Sequence, residues 1–139
     1  MMVFSDETGN MNDIIMKGCK ILIVEDDMSS RLYLNKILEK TGAVIFNAGD
    51  GEMALDIVKQ QSDIDVVLMD IQLPVMDGYL SAEKIWELKE DMIIIAQTAY
   101  GLIGDTEKII NAGFNDYIIK PIMSRILIDK IIACLEARK

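Results

Sequence analysis

Five short runs of apolar residues punctuate the chain, and after each of them apolar positions recur at helical spacing. The runs are Lys20 to Val24, Ala43 to Asn47, Asp65 to Asp70, Met92 to Ala96 and Asp116 to Ile119. The middle one, Asp65-Val66-Val67-Leu68-Met69-Asp70, is almost uninterrupted, the pattern of a strand buried on both faces of a parallel sheet. Helices are expected from Ser29 to Lys40, from Glu52 to Gln60, just after Gly78, from Asp105 to Ala112 and from Ser124 to Arg138. Their inward faces are read as Leu32, Leu34, Ile37 and Leu38, then Met53, Ala54, Ile57 and Val58. Leu80, Ile85 and Leu88 follow, with Trp86 on the flank, and the last helix offers Ile126, Leu127, Ile131, Ile132 and Leu135. Asp105 reads as the cap of the fourth helix, and Gly42 and Gly113 as stops of the first and fourth. Such regular alternation predicts an α/β fold, a parallel sheet with helices on both faces joined by right-handed crossovers. Residues 1–18 show no sustained period beyond a helical tendency at Asn12 to Lys17. They read as a flexible lead or linker before one domain over residues 19–139.

Composition narrows the function classes. No apolar run approaches the roughly 18 residues needed to cross a bilayer, and no basic region precedes an apolar core at the N-terminus. A cytoplasmic protein without a membrane partner is expected. The formal charge of −9 argues against nucleic acid as a partner and suits a cation or a basic protein face. Cys19 and Cys134 lack metal-ligand spacing and read as free thiols. Histidine is absent altogether. That removes serine–histidine and cysteine–histidine catalysis, histidine ligation of metals and phosphohistidine chemistry, so any histidine must come from a partner.

The chemistry collects where strands end. The first run stops at Glu25-Asp26-Asp27, the third at Asp70, the fourth at Thr98 and the fifth at Lys120. Parallel strands bring all their carboxyl ends to one edge, where open α/β sheets bind ligands. The second strand, ending at Asn47, belongs at the border. One acid of the first cluster is explained by helix capping; three are not. Glu25, Asp26 and Asp70 together would repel one another and raise at least one pKa, so they call for a hard divalent cation such as Mg²⁺. With Lys120 as a point charge and Thr98 as a hydroxyl donor, the edge suits a phosphoryl group, and Asp70 is the natural nucleophile.

The ordered set Ile21-Leu22-Ile23-Val24-Glu25-Asp26-Asp27, Met69 to Gly78, Thr98-Ala99 and Asp116-Tyr117-Ile118-Ile119-Lys120-Pro121 resembles the receiver domain of two-component response regulators. The resemblance runs from about Cys19 to Lys139. It implies a flavodoxin-like doubly wound sheet of five strands in the order 2-1-3-4-5. It also implies Asp70 as phosphoacceptor, with Thr98 and Lys120 on the phosphoryl oxygens. Mg²⁺ would be held by Asp26, Asp70, the backbone carbonyl of Gln72 and, through water, Glu25, which replaces the family's commoner aspartate. Lys120-Pro121 would be a cis peptide, Gln72 and Tyr100 would tune phosphoryl lifetime, and Tyr117 would change rotamer as Thr98 moves inward.

The implied output is a shift of the face formed by the fourth helix, fifth strand and fifth helix. The phosphoryl source would be a histidine kinase or histidine phosphotransfer protein, and the domain would promote its own phosphorylation and dephosphorylation. Gly101 and Gly104 flank Leu102 and Ile103, so that loop is expected to be mobile, with Leu102, Ile103 and Tyr117 on a partner or homodimer surface. The wording around Ala96 to Tyr100 and Asp116 to Pro121 resembles receivers of hybrid histidine kinases, against which a stand-alone regulator stays open. Two other readings remain: a metal-dependent phosphatase-like hydrolase with an aspartate nucleophile, and an unphosphorylated interaction module.

Overall fold

The apolar runs from Lys20, Asp65 and Met92 are covered on both sides and almost wholly buried, while those from Ala43 and Asp116 are partly exposed at the borders of the sheet. In the computed structural model, residues 15–73, 76–99 and 103–138 are described, the side chains at 103 and 104 excepted. The elements run β1 (Lys20–Val24), α1 (Met28–Glu39), β2 (Val44–Ala48), α2 (Gly51–Gln60), β3 (Val66–Asp70), α3 (Gly78–Leu88), β4 (Ile93–Thr98), α4 (Ile103–Asn111), β5 (Asp116–Ile119) and α5 (Ser124–Ala137). The strands pair in parallel in the order β2-β1-β3-β4-β5. This is the doubly wound sheet with β2 at its border, as the sequence predicts.

Alternation along the strands divides the core in two. Ile21, Ile23, Val66, Leu68, Ile93 and Ile95 face α1 and α5, against Leu34, Leu38, Leu127 and Ile131. Leu22, Val24, Val67, Met69, Ile94 and Ala96 face α2, α3 and α4, against Ala54, Val58, Ala82, Ile85 and Ile109. Three aspartates start helices by capping: Asp27 accepts from Ser30 N, Asp50 from Met53 N and Asp77 from Leu80 N.

Several expected helix faces are corrected. Leu32, Met53, Leu80, Leu88 and Ile126 are exposed, while Ser81 and Thr41 are fully buried. In α2 and α3 the buried stripe is rotated toward small residues, Gly51 and Ala54 in the one and Gly78, Ser81 and Ala82 in the other. Asp105 does not cap α4; the helix begins at Ile103 and places Asp105 in its first turn. Gly104 therefore belongs to that helix rather than to a loop. The lead expected over residues 1–18 also needs correction at its end, because Ile15 and Met16 are buried in the α1–α5 side of the core. Residues 1–14, Pro74, Val75, Tyr100, Gly101 and Leu102 lie outside the described residues, so the expectations placed on them are not addressed. Cys19 and Cys134 are free thiols, the first buried and the second half-buried. Burial pushes the Cys19 thiol up to about 12, with the Asp65 charge adding to it. No described helix is long and apolar enough to cross a membrane.

Candidate functional site

The parallel sheet carries one polar row across its carboxyl edge. Glu25 follows β1 directly, Asp70 closes β3, and Gln97 in β4 is the register partner of Asp70. By strand alternation their side chains lie on the α1–α5 side, continuing Ile23, Leu68 and Ile95. Glu25 and Gln97 are fully buried and Asp70 is 4% exposed. Lys120, just past β5, reaches back into this row. Its Nζ donates to Glu25 Oε1 at 3.0 Å and to Asp70 Oδ2 at 3.1 Å. The Lys120-Pro121 peptide is cis, as the resemblance implies.

The loop after β3 is held against Asp70. Gln72 N donates to Asp70 Oδ1 at 2.9 Å, and Gly78 N donates to Ile71 O at 3.2 Å. A Cβ at Gly78 would lie 2.4 Å from Asp70 O and from Ile71 Cα, so only glycine permits that approach. Asp26 is exposed at the rim. One ligand oxygen from each of Glu25, Asp26 and Asp70 lies within 4.8 Å of the others. Asp27, next along, is occupied with Ser30 N and Oγ, both at 2.8 Å, and the Ser30 backbone N–H holds its carboxyl below the usual range. One acid of the three caps the helix, and two turn to the site.

Electrostatics follow from the crowding, although repulsion is not its first cause. Burial pushes the Glu25 carboxyl up to about 7; the hydrogen bond its protonated form donates to Asp70 and the Asp70 charge add to the rise, and Lys120 opposes it. Burial also works against the Lys120 charge, but the Glu25 hydrogen bond and the Asp70 charge outweigh it and raise the ammonium's pKa. Glu25 Oε2 is buried without a hydrogen-bond partner among the described protein groups. An all-oxygen donor set with a spare buried carboxylate oxygen fits a hard divalent cation.

Thr98 ends β4 and is 1% exposed, its alternation placing it on the side of α2, α3 and α4. Its backbone carbonyl accepts from Lys120 N at 2.8 Å. Tyr117 in β5 is partly buried against the same side of the core. Lys130 Nζ sits 4.8 Å from the Tyr117 ring centroid and pairs with Asp116 Oδ1 at 3.0 Å. The structure thus gathers Glu25, Asp26, Asp70 and Lys120 into one contact set, with Thr98 at the same edge and Tyr117 farther along β5. Gln97 joins this set without having been singled out from the sequence. The only cue was its place beside Thr98, where an amide interrupts an otherwise apolar strand.

Known proteins resemble this chain in sequence and fold. Residues 21–132 match the family model of the response regulator receiver domain. The chain is 34% identical over 152 residues to hybrid signal transduction histidine kinase I of Dictyostelium discoideum, covering 93% of this chain and 9% of that kinase. It is 35% identical over 106 residues to sporulation initiation phosphotransferase F of Bacillus subtilis, covering 76% and 85%. Among solved structures, a CheY-like response regulator receiver domain protein from Methanospirillum hungatei superposes with a TM-score of 0.80 at 31% identity, covering 88% of this chain and 97% of that one.

Proposed function

The chain belongs to the response regulator receiver domain family, and from that premise we propose that it is a phosphoacceptor switch in which Asp70 takes the phosphoryl group. One observation carries the assignment. Asp70 is a nearly sealed carboxylate at the end of the central strand, with the Lys120 ammonium at 3.1 Å and two further acids beside it. A carboxylate oxygen of Asp70 attacks phosphorus as the phosphorus–nitrogen bond of a phosphohistidine breaks, and the departing imidazole picks up a proton. The donor is a histidine kinase or a histidine phosphotransfer protein, because this chain has no histidine of its own.

Glu25, Asp26, Asp70 and the Gln72 carbonyl would hold Mg²⁺, which when bound offsets charge on the transferring group. Lys120 supplies a second positive charge to the phosphoryl oxygens, and Thr98 a hydroxyl donor. The Gln72 N–H on Asp70 Oδ1 fixes the carboxylate plane before any transfer. Tyr117 then reports the state of Thr98 to the surface of α4, β5 and α5, where a partner or second copy would bind. The domain works in the cytoplasm, either as the receiver of a larger hybrid kinase like the Dictyostelium relative, of which it spans 9%, or as a stand-alone regulator of the length of the Bacillus phosphotransferase, of which it spans 85%.

Intact-mass spectrometry after incubation with Mg²⁺ and a small acyl-phosphate donor tests the assignment. Wild type should gain one phosphoryl group only with the metal present, and Asp70→Asn should gain none. If both proteins gain it equally, another residue is the acceptor.

A further inference from the structure

Arg31 is a cation at this edge to which the phosphoacceptor reading gives no task. It stands one turn into α1, close to the positive end of the helix dipole and to a site read as holding a cation. Both neighbours disfavour a positive charge there. A hydrogen bond accounts for its place: the half-buried side chain donates from Nη1 to Glu25 O at 2.9 Å. The loop between β2 and α2 backs the guanidinium, a Cβ at Gly49 falling 3.5 Å from Nη1.

That hydrogen bond completes the grip on Glu25. Glu25 N donates to Ala48 O at 3.0 Å, and Glu25 Oε1 accepts from Lys120 Nζ at 3.0 Å. The Glu25–Asp26 peptide is planar, so holding Glu25 O also fixes the plane from which Asp26 departs. Asp26 is exposed, and its neighbour Asp27 is taken up by the start of α1. Arg31 is held in turn. Asn35 Nδ2 donates to Arg31 O at 2.6 Å and to Asn47 Oδ1 at 2.8 Å, and Asn47 Nδ2 donates back to Asn35 Oδ1 at 3.0 Å. The border strand β2 thus pins the helix turn that carries Arg31. We propose that Arg31 is a positioning residue for Mg²⁺ binding: by fixing the Glu25–Asp26 peptide it keeps the Asp26 carboxylate turned to Glu25 and Asp70, in spite of the repulsion between its own charge and the metal. This rests on the reading of these three acids as the Mg²⁺ holders.

The two effects of Arg31 on Mg²⁺ have opposite signs, so calorimetric titration of the full chain with Mg²⁺ separates them. Arg31→Met keeps an unbranched stem and loses both charge and donor; Arg31→Lys keeps the charge and an N–H donor. Relief of repulsion alone would tighten binding in Arg31→Met. Loss of positioning should instead weaken it about tenfold, as loss of a partner behind a metal ligand does. Arg31→Lys should stay closer to wild type. Tighter or unchanged binding in Arg31→Met overturns the proposal. Where Asp26 is already alanine, Arg31→Met should bring no further weakening. An equal weakening there would mean that Arg31 does not act through Asp26, against the proposal. Should Arg31→Met fail to fold, Asn35→Ala carries the test, since it changes no charge and leaves Arg31 in place: weaker Mg²⁺ binding is expected, and unchanged affinity overturns the proposal. If wild type itself binds no Mg²⁺, the metal reading fails and the proposal falls with it; wild-type binding that Arg31→Met leaves intact overturns the proposal alone.

Discussion

Two neighbouring rows of the same sheet face have the same burial and opposite chemistry. Ile23, Leu68 and Ile95 cross β1, β3 and β4 in register, all fully buried. Two residues further along the same strands stand Glu25, Asp70 and Gln97, exposed by 0%, 4% and 0%. The first row removes apolar surface from water and packs against α1 and α5. The second buries three polar groups, two of which keep an oxygen without a partner among the described residues. Stability is gathered in one row, and crowded polar groups are held in the next. The rigid apolar row sets the spacing of the polar one, which is how a strained set of acids stays in place.

The sharpest way to break this comparison is to cut one residue from each row. Leu68→Ala removes a fully buried side chain between two strands and should cost about 3 kcal/mol in urea unfolding. Asp70→Asn, two residues on, should cost little or even stabilise, since it removes one carboxylate from a crowded set while leaving Lys120 paired with Glu25. Leu68→Ala should still accept a phosphoryl group in its folded fraction. If Asp70→Asn proves the more destabilising of the two, the polar row is part of the structural core and the division fails.

That division also explains what the sequence discloses. Strands and strand ends are legible because an apolar run ending in a charged residue is a local signal: Glu25, Asp70 and Lys120 fall where such runs stop. Helix faces are less so. Leu80 and Leu88 look inward by hydrophobicity, yet the inward positions of α3 are Ser81, Ala82 and Ile85. Close approach to α2 selects small residues there: a Cβ on Gly51 would come within 2.0 Å of Ser81 Oγ. Gln97 was illegible for a related reason. Nothing in Ala96-Gln97-Thr98 says that the amide nitrogen finds Leu68 O while its oxygen finds no partner among the described residues.

A second effect comes from Glu25. Its folded pKa of about 7 exceeds the ordinary 4.5, chiefly through burial and then through Asp70. Below about pH 4.5 both folded and unfolded chains carry the proton. Between 4.5 and 7 the unfolded chain loses it first and so binds fewer protons, and stability falls as pH rises through that window. The slope contributed is at most about 1.4 kcal/mol per pH unit and vanishes above about 7. Lys120, whose pKa is raised from 10.5, contributes stability that is lost only at higher pH, outside the window. Urea unfolding at several pH values without metal should show the slope, and Glu25→Gln should flatten it. A slope unchanged in Glu25→Gln would remove Glu25 as its source. The apolar row has no counterpart to this effect: nothing in it titrates.

The smallest test concerns two adjacent acids at the rim. Asp26 and Asp27 are both exposed, yet only Asp27 has a structural task, accepting from Ser30 N and Oγ at the start of α1. Asp26 contributes instead to the carboxylate cluster with Glu25 and Asp70. Asp27→Ala should therefore lower the unfolding midpoint by a few degrees, as loss of a cap does, while leaving Mg²⁺ affinity almost unchanged. Asp26→Ala should leave the midpoint where it is and weaken Mg²⁺ binding, measured by calorimetry, by about tenfold or more. The contrast matters because the two residues share charge, exposure and neighbourhood and differ only in where the carboxylate is turned. Equal losses of Mg²⁺ affinity would mean that the site reads the summed negative field of the loop. Unequal losses would mean that it reads the placement of single oxygens, which is the condition that in-line transfer to Asp70 imposes.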